Sequence, residues 1–119
     1  MKRLKCVALA ALVATVLAAK AEEVPQGDTA NGQRVYLREA CFTCHGRSGQ
    51  GGAYGGPAPI LAHTALPFES FREEIRNPVN NMPAYSDAVL SEKEIVDVYA
   101  FVESLPGARS PKDISILNN

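Results

Sequence analysis

At 119 residues the chain has room for one small domain and none for a second. Its 13 acidic residues slightly outnumber its 12 Lys and Arg, a balance that argues against binding to nucleic acid or to anionic lipid.

Taken in chain order, the first 21 residues read as a segment removed on export. Lys2, Arg3 and Lys5 make a positive start, Val7 to Ala19 is an apolar run, and Ala19-Lys20-Ala21 supplies the small residues of a cleavage site. A membrane span needs roughly 20 apolar residues, and this Ala-rich run falls short of that. Cys6 precedes the run, where a lipoprotein cysteine would follow it. Residues 1–21 are therefore expected to be a cleaved signal peptide and 22–119 a single periplasmic domain with no membrane span. Cleavage removes Lys2, Arg3, Lys5 and Lys20 but no acid, which leaves 8 basic residues against 13 acidic ones. It also removes Cys6, and the remaining two cysteines lie too close together to staple a domain. A domain this small has a marginal apolar core, so some other group must complete it.

Three helices are expected, separated by Gly- and Pro-rich loops. The first runs from about Thr29 to Ala40, capped by Asp28 or Thr29, with Gly32, Val35, Tyr36 and Ala40 on one face. The second runs from about Pro67 to Arg76, with Pro67 at the first helical position. Its Phe68, Phe71 and Ile75 share a face, and Asn77 before Pro78 ends it. The third opens on the capping box Ser91-Glu92-Lys93-Glu94 and carries Ile95, Val98, Tyr99, Val102 and Leu105 as an apolar stripe, up to Pro106-Gly107. No segment alternates as a strand would, so the fold class is all-α. Between the first two helices, six glycines from Gly46 to Gly56 predict backbone lying close to a flat cofactor. In the tail, Ile114, Ile116 and Leu117 are expected to tuck against the body.

Cys41-Phe42-Thr43-Cys44-His45 is the attachment pattern of a c-type haem. Residues i and i+3 share one side of a helical turn, so both sulfurs reach the vinyl groups on one edge of the macrocycle. The next residue then places its imidazole under the iron. The cofactor expected is one covalent haem c, with Cys41 and Cys44 as thioethers and His45 as an axial ligand. A zinc site would need four Cys or His ligands. Adding His63 reaches that number, but nothing pairs with it at His-x₃₋₅-His spacing. A thioredoxin-like pair would need a βαβ setting. For the second axial ligand, Met82 stands in Asn80-Asn81-Met82-Pro83, a constrained loop rather than a core, and His63 is the rival. His/Met ligation raises the reduction potential and leaves no open coordination position, which suits a carrier rather than an enzyme.

Together these residues resemble the class I cytochromes c, from about Asp28 to Leu105. The order is the specific part: early haem attachment, a Pro-x-Leu, a Met-Pro loop and a closing amphipathic helix. The resemblance implies a small cytochrome c fold around one haem. It implies that Pro59 of Pro59-Ile60-Leu61 accepts a hydrogen bond from His45, with Pro57 as the alternative. It also implies that Gly32 and Tyr36 cross the last helix near Val98, Phe101 and Val102, although Tyr36 stands five residues before Cys41 where many relatives have four. Tyr85, Asn80 and Asn81 are candidates to bond the Met sulfur or a propionate, and Arg47, Arg72 and Arg76 to pair with propionates. The expected function is periplasmic transfer of single electrons, as Fe(III)/Fe(II), among a dehydrogenase, a reductase or a terminal oxidase. The expected state is a monomer or a complex subunit, the alternative being a dedicated cytochrome subunit of a periplasmic dehydrogenase complex. A di-haem peroxidase would need a second Cys-x-x-Cys-His, which is absent.

Overall fold

The computed structural model describes residues 23–24, 26–52 and 58–117. The expected signal peptide with Cys6, and also Gly55, Gly56 and Pro57, lie outside the described residues. Within them the regular structure is helical: α1 Thr29–Arg38, the single turn α2 Phe42–His45, α3 Phe68–Arg76 and α4 Glu92–Ser104. Two 3₁₀ turns follow, Pro111–Asp113 and Ser115–Leu117. The all-α expectation is met.

The pair α1 and α4 forms the frame. Asp28 caps α1 by accepting the Asn31 N–H at 3.0 Å. Four residues on, Gly32 meets α4 so closely that a Cβ there would run into the carbonyl of Asp97 and the Cβ of Phe101. Any larger side chain would force the helices apart. One turn later the rings of Tyr36 and Phe101 pack at 5.3 Å, tilted by 59°, which locks the crossing. Phe101 is a partner the sequence anticipates; Asp97 is not. Asp97 is only 1% exposed and accepts from the Asp28 N–H at 2.8 Å, the Asn31 amide at 2.8 Å and the Lys93 ammonium at 2.7 Å. Burial pushes its pKa up, but these three donors outweigh burial and hold it below the usual carboxylate range. It ties the start of α1 to the middle of α4.

Helix α3 packs on the other side of α4. Phe68, Phe71 and Ile75 are buried, and Phe68 and Phe71 meet the Tyr99 ring edge-on at 5.4 and 5.1 Å. The Tyr99 hydroxyl donates to the Leu66 carbonyl at 2.8 Å, so its polar tip is satisfied inside an apolar contact.

Three local expectations change. Helix α1 stops at Arg38 rather than Ala40, because Ala40 turns into the left-handed region at φ 58°. Pro67 stands just before α3 as its cap, not at its first position. In the tail Ile116 is 77% and Leu117 62% exposed, since the 3₁₀ turn that carries them buries no residue, while Ile114 just before it is half-buried.

The capping box on α4 is complete. Ser91 accepts from the Glu94 N–H, and Glu94 accepts from the Ser91 N–H at 2.9 Å. That bond, with Arg38 at 2.8 Å, pulls the Glu94 carboxyl down from 4.5 to about 2. A carboxyl whose folded pKa is depressed stabilises the fold fully above its unfolded value and loses that contribution as pH falls. Glu94→Ala is therefore expected to melt below wild type at pH 7. In thermal melts the gap should narrow from about pH 4.5 downward and vanish near pH 2.

Candidate functional site

The 41–45 turn is held by α1 at both ends. On entry, Ala40 closes α1 as a left-handed cap. Its N–H bonds the Leu37 carbonyl at 3.2 Å, and the Cys41 N–H reaches back five residues to the Tyr36 carbonyl at 3.1 Å. The five-residue spacing from Tyr36 to Cys41 is the span of that bond. The Ala40 carbonyl then accepts from the Thr43 N–H at 3.0 Å and hydroxyl at 2.7 Å, which starts α2. On exit, Gly46 turns at φ 79°, and its carbonyl accepts the buried Tyr36 hydroxyl at 2.7 Å. One tyrosine thus grips the turn with its backbone at one end and its side chain at the other. Burial, with Cys41 nearby, pushes its phenol well above the ordinary range, so Tyr36 stays a neutral donor.

The described part of the glycine-rich segment folds against the 58–62 limb of its own loop. The Gly51 N–H donates to the His45 carbonyl at 2.7 Å, the Gly52 N–H to Ala58 at 3.1 Å, and Gly49 accepts from Leu61 and Ala62 at 2.8 and 3.0 Å. A Cβ on Gly51 would lie 2.8 Å from the Ala58 carbonyl, so the close approach is between two limbs of the same loop. The fold-back delivers Pro59, whose carbonyl sits 3.0 Å from His45 Nδ1. That contact makes Nδ1–H the donor and leaves Nε2 free to face away from it.

His45 is 8% exposed and lines an apolar cavity of about 490 Å³ between α1, α3 and α4. Cys41, Cys44, Pro59 and Met82 line the same cavity. His63 does not. It lies beside the end of α4, where its Nδ1 meets the Glu103 carbonyl at 3.3 Å. The loop carrying Met82 is pinned just beyond it: the Tyr85 N–H donates to Ile75 at 3.0 Å and its hydroxyl to the Glu39 carbonyl at 3.1 Å. The Tyr85 hydroxyl is therefore committed to backbone.

The three arginines expected to pair with propionates have other partners. Arg47 lies over the Phe42 ring at 5.1 Å, and Arg72 bonds Glu92 at 2.8 Å. Arg76 bonds two backbone carbonyls and two carboxylates. No Lys or Arg lines the cavity among the described residues; its one carboxylate is Glu74. Glu74 makes no hydrogen bond or ion pair among the described residues. Glu74 and Asp97 are not named in the sequence analysis, and Ala40 is placed there on a helix face without its left-handed turn. The helical spacing of Phe71, Glu74 and Ile75 carried a signal for the first; nothing local marked the other two.

The residues fit a haem. The cavity volume falls within the roughly 300–1,000 Å³ of small-ligand sites. Its walls are apolar core faces, two thiols stand at i and i+3 on one turn, and a buried imidazole is oriented by a carbonyl. A gap of this size in so small a core also marks the place where the missing apolar mass belongs.

The family model described as cytochrome c oxidase, cbb3-type, subunit III matches residues 27–102. The chain is 32% identical over 101 residues to cytochrome c-555 of Methylococcus capsulatus, covering 84% of this chain and 81% of that one. It is 37% identical over 82 residues to the cytochrome bc1 complex cytochrome c subunit of Corynebacterium efficiens, covering 67% of this chain but 27% of the relative. A protein of the same description in Corynebacterium diphtheriae is 35% identical over 83 residues. No solved structure matches at comparable significance. The cofactor is covalent haem c, and Cys41, Cys44 and His45 fit the pattern that attaches it.

Ala40 supplies a direct check on how the turn is set. A non-glycine residue in the left-handed region costs roughly 1–2 kcal/mol, part of which glycine returns through its freer unfolded chain. Ala40→Gly is expected to stabilise the protein by about 0.5–1 kcal/mol, read as a melting point roughly 2–6 °C higher, with haem attachment unchanged.

Proposed function

The chain belongs to the cytochrome c family, haem-bearing electron carriers rather than enzymes, and from that premise we propose that it shuttles single electrons in the periplasm with its iron held by His45 and Met82. The observation that carries this reading is that His45 and Met82 line one cavity with both cysteines, while His63 lies elsewhere. Bound there, haem c supplies the Fe(III)/Fe(II) couple. The protein's own residues do the rest. Cys41 and Cys44 anchor the macrocycle as thioethers, and the Pro59 carbonyl fixes the imidazole tautomer and ring orientation. Met82 would supply a soft, neutral thioether as the second ligand, which favours the reduced state. Held by two side chains of the chain itself, the group would serve electron transfer and not substrate binding.

Cleavage after Ala21 places the domain in the periplasm; among the described residues no helix is long and apolar enough to cross a membrane. The net acidity left after cleavage suits basic docking patches on redox partners, met through small, transient interfaces. A second reading, service as the cytochrome subunit of a larger complex, draws on the relatives described as subunits of a cytochrome bc1 complex, although the chain spans only about a quarter of those relatives' length. A dehydrogenase complex is the form of this reading that the sequence suggested. Migration at complex size in native chromatography would favour it.

The ligand assignment is tested by absorption spectra. The oxidised wild type is expected to show a weak far-red sulfur-to-iron band that Met82→Ala abolishes; a band that survives the substitution rules out Met82.

Glu74 adds an expectation for the potential. A carboxylate at the wall of a cavity that no Lys or Arg lines among the described residues stabilises the more positive, oxidised iron. Glu74→Gln should raise the midpoint potential, shifting the Fe(II)/Fe(III) equilibrium by about threefold or more. Glu73→Gln, on the same helix but exposed and bonded to Asn77, should shift it less. Potentiometric titration of the three proteins decides.

A further inference from the structure

We propose that Arg76 is the positioning residue that keeps the Met82 loop closed on the iron, and so decides that the protein carries electrons instead of binding small ligands. This rests on the His45/Met82 reading above. Arg76 is the last residue of α3, immediately before the loop, and its side chain is only 11% exposed. Its Nη1 donates to the carbonyls of Tyr85 at 2.9 Å and Leu90 at 2.7 Å. Its Nη2 pairs with Asp87 at 2.7 Å and Glu92 at 2.9 Å. These partners fall on the return limb of the loop, at Tyr85, Asp87 and Leu90, and on the first residue of α4.

A guanidinium has five N–H donors, and three of them make hydrogen bonds here, to the Tyr85 and Leu90 carbonyls and to Glu92, with Asp87 in ion-pair contact beside them. Arg76 is therefore directed mainly at the loop and the start of α4. The planar fork suits such a clasp, because one nitrogen reaches two carbonyls while the other takes the carboxylates. A lysine, a point charge on a flexible stem, cannot reproduce both halves.

The geometry around Tyr85 shows how the clasp reaches Met82. The Tyr85 N–H donates to the Ile75 carbonyl at 3.0 Å while its own carbonyl accepts from Arg76. Residues 75 and 76 thus hold residue 85 from both sides and close the loop that presents Met82 into the cavity. Beyond Tyr85, Ser86 accepts the N–H groups of Val89 and Leu90, so the return limb moves as one piece. Without the fork, the two carbonyls lose a charged donor and the loop is free to swing away from α3. A small neutral ligand such as carbon monoxide competes for the ferrous iron only while Met82 is off. Its apparent affinity therefore reports the open fraction of the loop.

The experiment uses the holoprotein and four chains: wild type, Arg76→Ala, Arg76→Lys and Arg72→Ala. Arg72 shares the Glu92 carboxylate but touches no loop carbonyl, so its variant removes a charge and an ion pair without opening the clasp. The readouts are the far-red band of the oxidised protein, carbon monoxide affinity of the ferrous protein, and thermal melting. Arg76→Ala is expected to weaken or lose the band and to gain carbon monoxide affinity by about tenfold or more. Arg76→Lys should fall between it and wild type, and Arg72→Ala should match wild type in both spectroscopic readouts. If Arg76→Ala does not yield folded protein, the lysine variant alone carries the test. Variants that melt lower yet keep the band and stay inert to carbon monoxide would overturn the proposal, leaving Arg76 a purely structural residue. A wild type without the band would overturn both readings at once, and that failure is visible before any arginine is changed.

Discussion

Tyr36 is the fastening on which the site depends. Its carbonyl accepts the Cys41 N–H and its hydroxyl donates to the Gly46 carbonyl, so the turn bearing two thiols and an imidazole is fixed at both ends to α1. α1 in turn is fixed to α4 by the Gly32 contact and the Tyr36–Phe101 ring pair. A loose loop could not present three chemically distinct groups to one flat cofactor. Here a single aromatic residue of the helix crossing transmits the rigidity of the helix pair to the attachment turn.

The cavity follows from the same frame. α1, α3 and α4 bury their apolar faces against one another, but they leave a gap too large for such a small core to leave unfilled. The residues that line the cavity are apolar faces of the same helices that form the core, so a haem bound there would pack against the core itself. The charges around the gap are distributed unevenly. Asp97 is buried but satisfied by three donors, and Arg76 is nearly buried and satisfied by two carbonyls and Glu92, with Asp87 paired alongside. Glu74 faces the cavity without a counter-charge. The first two hold helices and loop together; the third is the one carboxylate at the cavity wall among the described residues.

Much of this was legible in the chain itself. The capping box at Ser91 and the stripe that follows it specify α4 almost to the residue, because both depend on neighbours within one or two turns. The face Phe68, Phe71, Ile75 and the stop at Asn77-Pro78 did the same for α3. Where the reading slipped, the cause was a contact between distant segments. Read from the sequence, the glycines from Gly46 to Gly56 lie against a cofactor, whereas Gly49 and Gly51 pack against the 58–62 segment of the same loop, and close approach to any backbone calls for the same absent Cβ. Ala40 gives no warning of a left-handed cap, since the bond that requires it runs from Cys41 back to Tyr36. Of the tail's apolar residues, Ile116 and Leu117 stay exposed while Ile114 is half-buried.

The sequence alone determined the chemistry: thiols three apart followed by an imidazole can be read without coordinates, because a helical turn is a local object and the motif lies within one. It also determined the helices, whose periodicity and caps are equally local. Only the tertiary structure decided which carboxylate faces the cavity and which arginine closes the loop, and it bears out Pro59 as the carbonyl that meets His45. Those are relations between segments that lie apart in the chain, 14 residues for His45 and Pro59 and 69 for Asp28 and Asp97. The free energy that selects among them comes from packing and charge pairing once the helices have met.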